Sequence, residues 1–163
     1  MLPIWARVLT NLLALQIKTT VIKEIIMITK DTILFVDDDA SILKSIQRTQ
    51  RSESYRILTA SSATEAAMCL VLHPVRIIAC DYQMAGMNGL EYLSKVAPQL
   101  PDTWRILLSG NVDEALAAEA VERGVVHFVL WKPLKSDALT ERIQTCLGTR
   151  PQRIKTLHPA AVQ

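Results

Sequence analysis

The chain has 163 residues, half of them hydrophobic and only 5% aromatic, which predicts one domain with a core of aliphatic side chains. Its net charge of +2 is uneven, because residues 1–30 and 149–163 each carry +3 while residues 31–148 carry −4. The basic character therefore comes from the ends, which argues against nucleic-acid binding by the folded part.

The cysteines indicate neither a metal site nor a disulfide framework. Cys69, Cys80 and Cys146 are scattered and form no CxxC or Cys/His spacing. An odd number of such residues fits buried thiols in a reducing compartment, so we expect a cytoplasmic protein. None of the three histidines is spaced as a metal ligand or as a phosphotransfer site, and we expect all of them to be structural or surface residues.

Residues 1–30 form an N-terminal extension in this interpretation. Its longest uncharged stretch, Val8–Ile17, is half of the ~20 residues needed to span a bilayer, and no small-x-small cleavage site follows. Met27 lies shortly before the first convincing strand, so we expect translation to start there. An added amphipathic helix and, last, a membrane anchor are the alternatives; no membrane partner is expected.

From residue 31 onward, short apolar runs alternate with segments of helical periodicity. Such a pattern predicts an α/β fold with a doubly wound parallel sheet of five strands and five helices. Residues 31–148 form this domain, and the basic tail 149–163 is expected to be disordered. The predicted elements, in chain order, are strand Ile33–Val36, helix Ser41–Gln50 with Ser41 as its N-cap, strand Tyr55–Thr59, helix Ser62–Leu72, strand Val75–Cys80, helix Leu90–Val96, strand Trp104–Leu108, helix Asp113–Arg123, strand Val125–Leu130 and helix Ser136–Leu147.

Polar residues follow four of the predicted strands. Three aspartates, 37 to 39, follow the first strand, and Asp81 follows the third. Ser109 follows the fourth strand and Lys132 the fifth. Because ligands of open α/β sheets bind beyond the carboxyl ends of the strands, we expect these residues to share one cleft. Asp39 is the exception, since a helix cap or a solvated acid is the better interpretation of it.

These side chains suit phosphoryl transfer to an aspartate. Clustered carboxylates repel one another unless a cation neutralises them, and hard oxygen ligands without Cys or His favour Mg²⁺. Lys132 supplies a positive charge and Ser109 a hydroxyl donor for a phosphoryl group. A carboxylate nucleophile with a divalent metal, an amine and a hydroxyl meets the needs of this reaction.

In order and spacing, four segments resemble the response-regulator receiver domain of two-component signal transduction. They are Ile33–Asp39, Asp81–Glu91, Leu107–Gly110 and Lys132-Pro133. The resemblance covers about residues 31–148 and implies a flavodoxin-like sheet with strand order 2-1-3-4-5.

The resemblance also implies roles for individual residues. Asp81 is the implied phosphoacceptor. Mg²⁺ is the implied cofactor, bound by Asp38, by Asp37 directly or through water, and by the backbone carbonyl of Gln83. Ser109 would hydrogen-bond the phosphoryl group, and Lys132 would form an ion pair with it. A cis peptide bond is implied before Pro133, and the phosphoryl donor would be a phosphohistidine on a sensor histidine kinase or phosphotransfer protein.

Two positions depart from the family's pattern. Ala85 replaces the usual proline, which loosens the loop after the acceptor without removing a ligand. Val129 stands three residues before Lys132, where the family has Tyr or Phe. Phe128 and Trp131 flank it, but strand alternation is expected to aim their side chains differently. The usual coupling between hydroxyl and aromatic side chains is therefore in question.

The predicted function is that of a phosphorylation-dependent switch without an enzymatic domain. Its output surface would comprise helix 4, strand 5 and helix 5, with a downstream protein or a second, phosphorylated copy as partner. Sixteen residues follow Leu147, too few for an output domain, so we expect a single-domain regulator. The alternatives are a phosphate-independent interaction module, suggested by Val129; a truncated receiver of a cyclic-di-GMP phosphodiesterase-type regulator, suggested by Arg105–Gly110; and DNA binding by the basic ends.

Overall fold

The computed structural model describes residues 12–22, 30–50 and 54–151. The chain divides into two compact units, Met1–Lys30 and Asp31–Gln163. In the first unit, residues 12–22 form a helix whose side chains are all exposed. No described helix is long and apolar enough to cross a membrane. The predicted start at Met27 lies outside the described residues, as do residues 152–163 of the tail 149–163 that was predicted to be disordered.

The second unit alternates strands and helices along its described residues. Its strands are β1 (Asp31–Val36), β2 (Tyr55–Ala60), β3 (Ile77–Asp81), β4 (Trp104–Ser109) and β5 (Phe128–Trp131). Its α-helices are α1 (Ala40–Thr49), α2 (Ala63–Leu72), α3 (Gly89–Val96), α4 (Glu114–Glu122) and α5 (Ser136–Leu147), and a 3-10 turn covers Ala97–Gln99.

The five strands form one parallel sheet in the order β2-β1-β3-β4-β5, which confirms the predicted fold class. Two separate hydrophobic clusters cover its faces. One joins alternate strand residues to α2, α3 and α4, and the other joins the remaining strand residues to α1 and α5. Because both faces are buried, the strands are continuously apolar rather than alternating.

Hydrogen bonding explains where the predicted boundaries were wrong. Asp39, not Ser41, is the N-cap of α1, because its carboxylate accepts the N–H of Ser41 at 2.7 Å. Strand β5 begins at Phe128 rather than Val125. The N–H groups of residues 125 and 126 both donate to the carbonyl of Ala120 and prolong the end of α4, so they are not free to pair with β4.

Candidate functional site

Three carboxylates meet beyond the carboxyl ends of β1 and β3. Val36 lies beside Cys80 in the register of these neighbouring strands, so Asp37 and Asp81 come next to each other. Asp37, Asp38 and Asp81 each offer an oxygen atom, and these atoms all lie within 4.8 Å of one another. Asp37 and Asp81 are only 2% and 5% exposed, whereas Asp38 is exposed.

Lys132 joins two of these acids from β5. Its Nζ lies 2.6 Å from Oδ1 of Asp81 and 3.1 Å from Oδ2 of Asp37. Its backbone N–H donates to the carbonyl of Ser109 at 2.7 Å, and its peptide bond with Pro133 is cis, the isomer that the resemblance implies. The ammonium group therefore neutralises part of the negative charge that two buried carboxylates place at this edge of the sheet.

The site shifts the pKa values of its own groups. Burial raises the pKa of Asp81, although the hydrogen bond and charge of Lys132 oppose that rise. Burial alone would lower the pKa of Lys132, but the hydrogen bonds and charges of Asp81 and Asp37 outweigh it and raise this pKa. The lysine thus stays charged at neutral pH, opposite a carboxylate that burial makes a stronger proton acceptor.

The donor set fits a hard divalent cation. Carboxylate oxygens without sulfur or imidazole are the ligands that Mg²⁺ prefers. Two of the acids are held by the backbone, since Oδ1 of Asp37 accepts the N–H of Asp39 at 2.9 Å and Oδ2 of Asp38 accepts that of Ala85 at 2.8 Å. A backbone hydrogen bond from Gln83 lowers the pKa of Asp81, which places this residue at the site. Its carbonyl as a metal ligand stays a prediction.

Ser109 lies at the same edge, and its hydroxyl oxygen accepts hydrogen bonds from the loop that follows it. The residue ends β4 and is 1% exposed. Its Oγ accepts the backbone N–H groups of Asn111 at 3.2 Å and Val112 at 2.9 Å. The hydroxyl therefore holds the first residues of the loop that leads into α4. Both bonds use the oxygen as acceptor, so the hydroxyl hydrogen can still be donated, and a shift of this oxygen toward Asp81 would pull on the loop.

Val129, which stands where the family has an aromatic residue, is part of the hydrophobic core. Val129 packs against the cluster beneath α2, α3 and α4, whereas Phe128 and Leu130 pack on the opposite face. Because strand residues two apart share a face, Trp131 lies on the side of Val129. The prediction that Trp131 points differently from Val129 was wrong, since it overlooked this period. Trp131 is 46% exposed and pairs in register with Ser109.

Two features of the site were missed in the sequence. Gly89 opens α3 directly against the end of β3, and an alanine Cβ there would collide with the backbone carbonyl of Asp81. Its signal was the capping box of Asn88 and Glu91, which fixes the start of α3. The second feature is a groove of about 330 Å³ beside Lys132, lined mainly by apolar side chains of α1 and of the segment leading into α5. No pattern within a single helix could reveal it.

Comparisons with known proteins agree with this geometry. Residues 33–144 match the family described as the response regulator receiver domain. The chain is 38% identical over 114 residues to the hydrogenase transcriptional regulatory protein HoxA of Cupriavidus necator, covering 69% of this chain and 23% of that protein. It is 31% identical over 110 residues to the C4-dicarboxylate transport transcriptional regulatory protein DctD of Rhizobium meliloti, covering 68% of this chain and 24% of the relative.

A solved structure shows the same architecture. The signal receiver domain of an HD domain-containing protein from Pseudomonas fluorescens superposes with a TM-score of 0.67 and 29% identity, covering 73% of this chain and 88% of the other. The chain spans about a quarter of the length of the curated relatives it matches. Because the family match extends over most of the second unit, including the acidic cluster, Ser109 and Lys132, the chain belongs to the response regulator receiver domain family.

Proposed function

We propose that Asp81 accepts a phosphoryl group from a phosphohistidine on a sensor histidine kinase or phosphotransfer protein. The observation that carries this proposal is the bridge from Lys132 to the two buried acids, Asp81 and Asp37. A buried carboxylate beside a fixed ammonium group is both a nucleophile and the start of a binding site for the oxygens of a phosphoryl group. A purely structural ion pair would not need the further acid, Asp38, within 4.8 Å.

The chemical step is a transfer between two nucleophiles. A carboxylate oxygen of Asp81 bonds to phosphorus while the N–P bond of the donor histidine breaks, so that an acyl phosphate forms and the imidazole leaves. Lys132 is placed to follow the new negative charge, because its ammonium group already contacts Asp81. Ser109 would donate its hydroxyl to a phosphoryl oxygen. The reaction depends on positioning and charge neutralisation more than on acid–base chemistry.

The proposed cofactor is Mg²⁺, held by Asp37, Asp38 and the Gln83 carbonyl. When bound, it would neutralise the negative charge shared by the carboxylates and the phosphoryl oxygens.

The donor protein has a place to dock next to the acceptor. The 330 Å³ groove reaches from Lys132 and Pro133 to Ile42 and Ile46 on α1 and Leu139 on α5. An apolar helix face laid in this groove would bring a side chain to the edge of the site, which is how helices are commonly recognised. The groove therefore supports a protein phosphohistidine as the physiological donor.

The proposed output is a change in affinity of the surface formed by α4, β5 and α5. Phosphorylation adds roughly two negative charges at Asp81, and the engaged hydroxyl of Ser109 links that charge to the loop before α4. The occupant of this surface would be a downstream protein or a second copy of the chain.

All three cysteines are free, which supports a reducing, cytoplasmic location.

Acetyl phosphate with Mg²⁺, followed by intact-mass measurement, tests the proposal. We expect one added phosphoryl group on the wild-type chain, none on Asp81→Asn, and less modification when a chelator removes the metal. Asp39→Asn is the matched control, because this neighbouring acid caps α1 and asparagine caps a helix equally well. A wild-type chain that stays unmodified would refute the proposal, as would an Asp81→Asn chain that still gains the group.

A further inference from the structure

Arg105 lies at the opposite end of β4 from Ser109. It is the second residue of the strand and is 5% exposed, although its side chain is charged. Burying a guanidinium group is unfavourable unless its donors are satisfied. The partners of this side chain therefore show what its burial achieves.

Four backbone carbonyls accept hydrogen bonds from Arg105. Two belong to the residues just after α4: Nε donates to Val125 at 2.9 Å and Nη2 donates to Gly124 at 2.8 Å. The other two belong to the segment before β4, where Nη1 donates to Leu100 at 2.8 Å and to Thr103 at 3.1 Å. One side chain of the sheet thus fastens the carboxyl-terminal end of α4. A cation is also favoured at that end by the helix dipole.

The amino-terminal end of α4 is held in a different way. The side chain of its N-cap, Asp113, accepts the amides of Ala115 and Leu116, both in the first turn of the same helix. The preceding loop is tied by the N–H groups of Asn111 and Val112 to the hydroxyl of Ser109. That hydroxyl is the group expected to turn toward a phosphoryl group on Asp81. The two ends of α4 are therefore attached differently. One end is bonded to a buried cation, whereas the loop at the other end is held by a hydroxyl that can reorient and by the packing of Val112 in the core.

We propose that Arg105 is a positioning residue that anchors the carboxyl-terminal end of α4, so that displacement of the Ser109 hydroxyl moves only the loop and the amino-terminal end of the helix. This inference takes its trigger from the proposed function. The anchor itself depends only on the four hydrogen bonds to Arg105. An anchored helix turns about one end and gives the output surface one defined second position instead of a range of displacements.

Amide hydrogen exchange resolved by residue tests the anchor without phosphorylation. Ser109→Ala removes the hydroxyl that accepts the amides of Asn111 and Val112. We expect their exchange to accelerate about tenfold, the effect of losing one hydrogen bond of ordinary strength. The amides of Val125 and Val126, at the anchored end, should stay within about twofold of the wild type.

Arg105→Lys keeps the charge but has three donors in place of five. In this background, adding Ser109→Ala should accelerate Val125 and Val126 well beyond the effect of Arg105→Lys alone. Arg123→Lys is the matched control, because this exposed arginine lies at the same helix end and pairs with Glu119 of its own helix. There, adding Ser109→Ala should leave Val125 and Val126 unchanged.

Two results would overturn the anchor. One is acceleration of Val125 and Val126 by Ser109→Ala alone. The other is that, in the Arg105→Lys background, Ser109→Ala still accelerates amide exchange only at Asn111 and Val112 and leaves Val125 and Val126 unchanged. Cooperative urea unfolding of each variant confirms that it is folded. Intact mass after acetyl phosphate treatment tests the proposed function separately. An unmodified wild-type chain would refute that function, and the exchange measurements on these variants would still test the anchor.

Discussion

Under the proposed function, Lys132 would have two different tasks in the site. In the structure described here its ammonium group contacts Asp81 and Asp37, so it occupies part of the space and neutralises part of the charge that a metal ion would need. During transfer the same group would face the phosphoryl oxygens. The first contact opposes metal binding, whereas the second would speed the reaction. Removing the ammonium group should therefore strengthen metal binding and slow the reaction.

Lys132→Met should bind Mg²⁺ more tightly and react more slowly. Removing a positive charge a few ångströms from the carboxylates should raise Mg²⁺ affinity about tenfold, because charge pairs at such distances are worth roughly 1–4 kcal/mol at partly exposed sites. The rate of modification by acetyl phosphate should fall at least about tenfold, as when a transition-state donor is removed. Calorimetric titration with Mg²⁺ and time-resolved intact mass measure the two effects.

Lys135→Met is the control for this substitution. It deletes an exposed lysine three residues further on and should leave both quantities at wild-type values. Weaker Mg²⁺ binding in Lys132→Met would contradict the competition between lysine and metal. An unchanged rate of modification by acetyl phosphate would show that Lys132 does not take part in the reaction.

The residues of the candidate site were predictable because they are polar and follow apolar strands. Asp37, Asp81 and Lys132 interrupt runs of buried residues, and parallel strands bring such interruptions to one edge. Arg105 was not predictable in the same way. It lies within a strand, and its partners are backbone carbonyls of segments up to 20 residues away, which no local pattern specifies.

At the level of elements, helix α3 is placed by a contact that only glycine allows. Gly89 is the first residue of α3, and a Cβ built there would overlap the carbonyl oxygen of Asp81 and lie 3.1 Å from Sγ of Cys80. Both neighbours are buried, so neither can move aside without shifting β3. The capping box of Asn88 holds the helix in this position.

Gly89→Ala should destabilise the domain by about 1–3 kcal/mol, the usual effect of overpacking, and should also slow the modification of Asp81. Urea unfolding gives the first quantity and intact mass the second. Gly148→Ala is the matched control, because its Cβ would meet nothing closer than 3.5 Å and its φ of −74° suits alanine; it should be neutral or stabilising by up to about 1 kcal/mol. Equal stability of the two variants would contradict the close contact.

The boundaries of the elements were less predictable than their order. Five strands and their sequence in the sheet followed from apolar runs and from the resemblance, because burial on both faces leaves a strong compositional signal. The start of β5 did not follow, since Val125 and Val126 are apolar but donate to Ala120 at the end of α4. Hydropathy does not distinguish a buried helix end from the first residues of a buried strand.

For the molecule as a whole, one histidine links stability to pH. His127 joins β4 to the segment before β5, since its Nδ1 accepts the N–H of Arg105 at 3.0 Å and its ring packs edge-on against Trp104. Burial and the nearby charge of Arg105 lower the pKa of His127 from 6.5 to about 4. The folded protein therefore favours the neutral ring. Protonation of Nδ1 would remove the atom that accepts the N–H of Arg105.

The sign of the pH effect follows from this lowered pKa. Above pH 6.5 the ring is neutral in both folded and unfolded chains, and its contribution to stability is complete. As the pH falls from 6.5 toward 4, the unfolded chain binds a proton that the folded chain does not, so the free energy of unfolding decreases by about 2–3 kcal/mol. Asp81, whose pKa is raised, changes stability in the opposite direction over the low end of this range.

His127→Gln should remove most of the decrease in stability between pH 6.5 and 4.5, because glutamine can accept the same N–H but does not titrate. Urea unfolding at several pH values gives the free energy of unfolding for the variant and the wild type, and their difference cancels the contribution of Asp81 and the other shared groups. If His127→Gln loses as much stability on acidification as the wild type, the buried ring is not what makes the fold sensitive to acid.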